Sequence, residues 1–268
     1  MQKTVWAILG AAVSAAALAG GYFAARPATV AAEEPAVVSQ VEQPDTQAVE
    51  EIVRNYLLKN PEIIVEVQQA LEEKQRAEQK VASAAVIQAE SDDIFRAPHD
   101  AVFGNPNGKT TIVELYDYNC GFCKRAFNDM NALIESDKDL RFVLKELPIL
   151  GPDSQKAHIV SQAFFKLMPD KYQEFHIKLL GGSGRATEDS AIQLAVSLGV
   201  DEAKLREAME SPEIGDTFRK SLELASRLSV TGTPSYVVGD EVVFGAQGEQ
   251  ALRKRIADAR AACETSAC

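Results

Sequence analysis

Glu114-Leu-Tyr-Asp-Tyr-Asn-Cys120-Gly-Phe-Cys123-Lys124 joins two stretches of different character. Before it, Thr110–Tyr116 is a β-branched, aliphatic run that reads as a strand. After it, from Cys120 to about Glu135, Phe127, Met130, Leu133 and Ile134 recur at helical spacing. Leu140–Leu147 again has strand composition, so strand, helix and strand follow as in a βαβ unit with a partly parallel sheet. The cysteines therefore lie at a strand-to-helix junction. A helix N-terminus offers unpaired N–H groups and a positive dipole end, which stabilise a thiolate. A spacing of three puts the second sulfur one turn further on, on the same face and within reach of a disulfide. On this reading Cys120, exposed at the tip, attacks, and Cys123, lying inward, resolves the mixed disulfide. Gly121 leaves the backbone clear for substrate, and Phe122 brings neither charge nor proton.

A Cys-x-x-Cys pair is also half of a zinc site. Zinc needs two more ligands, and Cys263, Cys268, His99, His158 and His176 are the candidates; none forms a matching knuckle. The flanking strand and helix favour redox chemistry with no metal and no cofactor.

Outward from this unit, Ala101–Phe103 is a short candidate strand and Asn105–Gly108 a turn. Residues 153–228 are helical by pattern, broken at Pro169, Gly181–Gly184, Gly199 and Pro212. The Phe164, Phe165, Phe175 and Phe218 set reads as the core of this insertion, and His158 and His176 as ordinary surface or core residues. Strands return at Ser235–Val238 and Val242–Phe244 around a Gly239-Asp240 turn, and Gln247 to about Ala262 forms a closing helix. The fold class is thus α/β. Thr231-Gly-Thr-Pro234 precedes the first returning strand. A proline there cannot donate to the ladder, and a cis X-Pro bond would free the Thr233 backbone for an extended substrate.

Taken together, Glu114–Lys124, the helical insertion and Thr231–Pro234 resemble the bacterial DsbA family over about Ala101 to Ala262. Tyr56-Leu-Leu-Lys-Asn-Pro-Glu62, followed by a Gln- and Glu-rich helix, resembles the ScsC-type branch, named for suppression of copper sensitivity. The resemblance implies a thioredoxin-like fold with a helical insertion, preceded by a helical stalk. It implies Cys120 as nucleophile, Cys123 as resolving thiol, and Thr233 and Pro234 as the facing loop. It also implies Glu114 as a buried acid that moves protons at the inner cysteine, and Lys145 as its counter-charge. Some members of that branch trimerise through such stalks and act as disulfide isomerases. The Gly-Phe between the cysteines is closer to the Gly-Tyr of isomerases than to the Pro-His of the strong oxidase.

The N-terminus sends this domain out of the cytoplasm. Thr4–Ala25 carries no charge and reaches the ~20 residues that span a bilayer. With Val30-Ala31-Ala32 as a cleavage site, residues 1–26 read either as a signal peptide or as an inner-membrane anchor. Residues 27–45 read as a flexible tether, 46–92 as the stalk, 93–262 as the catalytic domain and 263–268 as a tail, where Cys263 and Cys268 suit a local disulfide. A metal-binding or electron-relay role is the alternative for that pair. The stalk's apolar stripes need a partner, and a second or third copy of the chain suits them better than the chain's own domain. A net charge of −11 excludes nucleic acid as a partner, because phosphate binding needs a basic face.

The expected function is reduction or isomerisation of non-native disulfides in exported, cysteine-containing proteins of the periplasm. By resemblance, a membrane thiol reductase supplies the electrons. The alternatives are a monomeric dithiol oxidase and a copper-sequestering protein, since soft thiolates select Cu(I).

Overall fold

The computed structural model describes residues 45–265; the signal or anchor segment and Cys268 lie outside the described residues, as does the side chain of Cys263. Helix α1, Thr46–Lys59, opens on Asp45, whose carboxylate accepts the Gln47 N–H at 3.1 Å. It buries no residue: Val49, Ile52, Val53 and Tyr56 are all exposed.

Helix α2 runs from Glu62 to Ala89, with Pro61 at its start, where a missing N–H costs nothing. Ile64, Val65, Val67 and Leu71 are exposed, but Ser83 and Ile87 near its end are buried. A short helix, α3 (Ser91–Phe95), follows. Strand β1 (Ala101–Gly104), β2 (Thr110–Tyr116), α4 (Gly121–Ser136) and β3 (Leu140–Glu146) come next. The insertion comprises α5 (Pro152–Leu167), α6 (Tyr172–Leu180), α7 (Glu188–Ser197), α8 (Glu202–Met209) and α9 (Pro212–Arg227). Strands β4 (Ser235–Val238) and β5 (Glu241–Phe244) form the expected hairpin, with Gly239 at φ 58, and α10 (Glu249–Thr265) closes the order.

The sheet order is β1-β3-β2-β4-β5, with β2 parallel to β3 and the other pairs antiparallel. Period-two alternation divides its side chains between two faces. Ile112, Tyr116, Phe142, Leu144, Tyr236 and Val238 meet α4, α10 and the insertion. Val113, Leu115, Val143 and Val237 meet Ile87 of α2, Ile94 of α3, and Leu224 and Ala225 of α9. The end of the long helix is thus part of the core beneath the sheet.

This alternation corrects the expectation for Lys145. The register pairs Leu115 with Lys145 and Glu114 with Leu144, so Lys145 projects on the face opposite Glu114. There its ammonium, 2% exposed, meets the buried Asp100 carboxylate and donates to Asp93 O at 2.9 Å. Neighbouring Arg141 donates to Phe95 O. Burial outweighs the attraction of Lys145 and pushes the Asp100 carboxyl up to about 6. Lys145 fastens the α3 segment to the sheet rather than serving the thiols. Removing one partner of a buried pair strands the other charge, so Lys145→Met is expected to cost about 3–5 kcal/mol in urea unfolding. Cys120 should titrate in that variant as in the wild type.

Candidate active site

Cys120 occupies the N-cap position of α4 with extended backbone, φ −77 and ψ 115, and Cys123 is in the first turn. Both are free thiols, 6% and 0% exposed. The turn that leads into them is held by Asp117. Its Oδ1 accepts from Asn119 N–H and Ser154 Oγ–H, both 2.8 Å; its Oδ2 accepts from Ile149 N–H at 2.9 Å and Leu150 N–H at 3.0 Å. The Asp117 carbonyl takes the Cys120 N–H at 3.0 Å. An aspartate bonding two residues onward is an Asx turn, so the tight reversal before the nucleophile is written in Asp117-Tyr-Asn119.

The Thr233–Pro234 bond is cis, and Thr233 O accepts the Cys120 thiol at 3.0 Å. The expected pair of motifs, separated by the whole insertion, is brought into contact. Phe122, 57% exposed, lies under the Arg125 guanidinium, 4.2 Å from the ring centroid. An open groove of about 420 Å³ runs between Phe122, the 231–235 segment and residues 244–247.

The electrostatics separate the two thiols. A hydrogen bond from Cys123, opposed by partial burial and aided by Thr233 and the Cys123 and Phe122 N–H groups, pulls Cys120 down to about 5. The Thr233 hydroxyl has no other partner, so it is free to turn its hydrogen to the thiolate once the thiol has ionised. Burial, the bond given to Cys120 and the charge of Glu114 push Cys123 far up. Glu114, on the same sheet face as its neighbour Tyr236, is itself pushed up to about 8 by burial, then by the Cys120 thiolate and by Asp129. The residue as a whole is 3% exposed.

Beneath the turn lies a buried polar cluster that the sequence reading did not assemble. Tyr118 N–H donates to His158 Nε2 at 3.1 Å, which places the His158 proton on Nδ1, 2.6 Å from Glu146 Oε2. Glu146 Oε1 accepts from Ser161 Oγ at 2.6 Å and Tyr172 OH at 2.8 Å. Tyr118 OH meets His176 Nδ1 at 3.2 Å, and burial pushes His176 down to about 3, so it is neutral. Three charge-assisted bonds take the place of water around the Glu146 carboxylate. Of the four phenylalanines expected in the insertion core, Phe164, Phe175 and Phe218 are buried, and Phe165 is half-buried and packs against the same core. Among the described residues no group of three or more His, Cys, Asp and Glu is gathered for a metal ion.

A strand, a helix-capping thiol and a cis-proline loop define a thioredoxin-like redox site, and comparison with known proteins agrees. The chain matches the DSBA-like thioredoxin domain over residues 111–257 and the copper resistance protein ScsC N-terminal domain over residues 45–78. It belongs to the DsbA-like family of thiol–disulfide oxidoreductases, with an ScsC-type N-terminal region. It is similar to the thioredoxin-like oxidoreductase from Silicibacter pomeroyi DSS-3, at 38% identity and TM-score 0.61, over 63% of this chain and 97% of that one. Proteus mirabilis ScsC in a compact conformation is 26% identical, TM-score 0.54, over 73% of this chain and 96% of that chain. Disulfide bond formation protein D of Bacillus subtilis (strain 168) is 25% identical over 152 residues, 53% of this chain and 68% of that protein.

The thiolate gives the reduced protein a pH-dependent stability. Cys120 is depressed from 9.0 to about 5 in the folded state, so its contribution is complete above pH 9 and lost as pH falls through 5. Glu114 acts oppositely: raised from 4.5 to about 8, its contribution is complete below pH 4.5 and lost as pH rises through 8. The urea midpoint of reduced wild type, relative to Cys120→Ala, is expected to climb between pH 5 and pH 9. Thiolate absorbance should show a midpoint near pH 5 that vanishes in the same variant.

Proposed function

We propose that this chain reduces or isomerises non-native disulfides in exported proteins of the periplasm. Thiol exchange itself rests on the pair of opposed thiols, Cys120 lowered to about 5 and facing Thr233–Pro234, and Cys123 raised far above it, while the reducing or isomerising direction rests on the exposed apolar stalk. The Cys120 thiolate attacks one sulfur of a substrate disulfide, forming a mixed disulfide and releasing the other sulfur as a thiolate. In the mixed disulfide the Cys120 charge that helped to raise Glu114 is gone, so the Glu114 carboxyl ionises more readily and takes the Cys123 proton as Cys123 attacks Cys120 Sγ. The second substrate thiolate leaves, Cys120 and Cys123 become a disulfide, and two electrons have passed to the substrate. Glu114, whose charge acts on Cys123 and whose own carboxyl is raised by burial, holds that proton until the pair is reset. When the freed substrate thiolate attacks the mixed disulfide instead, the bonds are reshuffled with no net electron transfer. Reduction consumes the dithiol, so a thiol reductase in the membrane is the electron donor this role calls for.

The stalk supports the isomerase side of this reading. Along α1, Ile52, Tyr56 and Leu58 stand exposed, and along the first turns of α2, Ile64, Val67 and Leu71 do too. Association of two or three copies through either helix would hold several thiol pairs around one substrate. One observation favours the second reading, a dithiol oxidase: a stabilised thiolate also stabilises the reduced form, which makes the disulfide more oxidising.

Two measurements divide these readings. Scrambled ribonuclease should regain activity with the full chain and regain much less after deletion of residues 1–78, which leaves the Lys80–Glu241 pair and the buried Ser83 and Ile87 in place. Equal recovery by the shortened chain, with a monomer mass for both, would favour the oxidase. Glu114→Gln should prolong the mixed disulfide about 10²-fold, the lower range for a lost proton-transfer group, as read by trapping and mass spectrometry.

A further inference from the structure

The glycine run Gly181–Gly184, between α6 and α7, has no part in the redox step, yet two residues of the redox turn hold its segment. Lys124 Nζ donates to the carbonyl oxygens of Gly182 and Gly184, each at 2.8 Å. Asn119 bonds Ala186 in both directions: Nδ2 donates to Ala186 O at 2.9 Å, and Oδ1 accepts from Ala186 N at 2.8 Å. The Asn119 amide thus serves Ala186 as a neighbouring strand would serve it. These residues flank the cysteines, one before Cys120 and one after Cys123.

The lysine is spent in an unusual way. Burial lowers its pKa, and the ammonium gives its bonds to two carbonyls rather than to a carboxylate. The leading groups that lower Cys120 are Cys123, Thr233 and the Phe122 N–H, and Lys124 is not among them. A partly desolvated charge that neither pairs with an acid nor serves the thiolate is placed for the loop itself. The outer side of that loop is open: Gly181, Ser183, Gly184 and Arg185 are exposed, and a Cβ added at Gly184 would meet nothing within 4 Å. The groove beside Phe122 and Pro234 does not include it.

We propose that Asn119 and Lys124 are positioning residues that hold residues 181–186 as a second wall of the substrate site, on the flank of Cys120 that Thr233 and Pro234 do not form. The inference rests on Cys120 being the attacking thiol. Half of this wall is glycine (Gly181, Gly182 and Gly184), so it offers a surface with few side chains, its Gly182, Gly184 and Ala186 backbone groups being held by Lys124 and Asn119. It suits an extended polypeptide of varied sequence around its cysteine.

The test is turnover of insulin as the disulfide substrate by Lys124→Met, Asn119→Ala and Lys124→Arg, alongside thiolate titration of each. Lys124→Met and Asn119→Ala should raise KM roughly tenfold, equivalent to 1.4 kcal/mol, with kcat unchanged and Cys120 titrating as in the wild type. Lys124→Arg, which can still bridge two carbonyls, should restore most of the KM. A wild-type KM in Lys124→Met overturns the proposal. So does a shifted Cys120 titration with kcat falling as far as kcat/KM, which would make the lysine a thiolate-stabilising charge. Cys120→Ser, run in parallel, fails differently: activity retained there would overturn the redox assignment itself.

Discussion

One fully buried carboxylate, that of Asp117, sets the geometry on which the redox centre depends. Four donors converge on it: the Asn119, Ile149 and Leu150 N–H groups and the Ser154 hydroxyl. They come from the redox turn, from the loop after β3 and from the start of α5. An anion that has given up its water is tolerated only where such bonds replace it. Those bonds leave the chain little freedom between Tyr116 and Cys120. The nucleophile's place over the first turn of α4 follows from that restraint, as does its contact with Thr233 O. From below, Glu146 and His158 hold the Tyr118 N–H. The turn is thus gripped on both sides by polar groups inside an otherwise apolar core.

The sheet separates two kinds of buried charge. On one face Glu114 lies on the side of the thiols, and burial, the Cys120 thiolate and Asp129 drive its carboxyl up towards neutrality. On the other, Lys145 and Asp100 neutralise each other and fasten α3. Two residues that a family resemblance would pair across a strand are kept apart by a register in which Lys145 faces Leu115. The inner thiol therefore lies on the Glu114 side of the sheet, and Lys145 lies on the other.

Much of this was legible in the chain. The βαβ unit, the insertion and the returning hairpin follow from hydrophobic period and glycine or proline breaks, because local pattern and tertiary packing agree there. The thiols and Thr233–Pro234 were legible because their chemistry needs those residue types at those places. Lys145 was misread because a residue's face depends on register, which a single strand's alternation cannot supply. His158 and Glu146 were missed because their meeting is tertiary: α5 must fold back over β3 before a histidine of bland helical context caps a turn. Asp117 carried a readable signal, an aspartate two residues before Asn119 in a tight reversal, but its bonds to Ile149 and Leu150 had none.

Helix α2 has a mechanical consequence. Its C-terminal end is built into the domain through Ser83 and Ile87, with Lys80 tied to Glu241 on the edge strand. From Glu62 to Lys80 the same helix continues without a break, a span of about 27 Å at 1.5 Å per residue. That makes it a cantilever clamped at one end. A sideways load applied near Glu62 becomes a torque on β5, and the residue just after that strand, Gly245, donates its N–H to Pro234 O at 2.9 Å. Whatever grips the far end of this helix therefore has a stiff handle on the loop that faces the thiols.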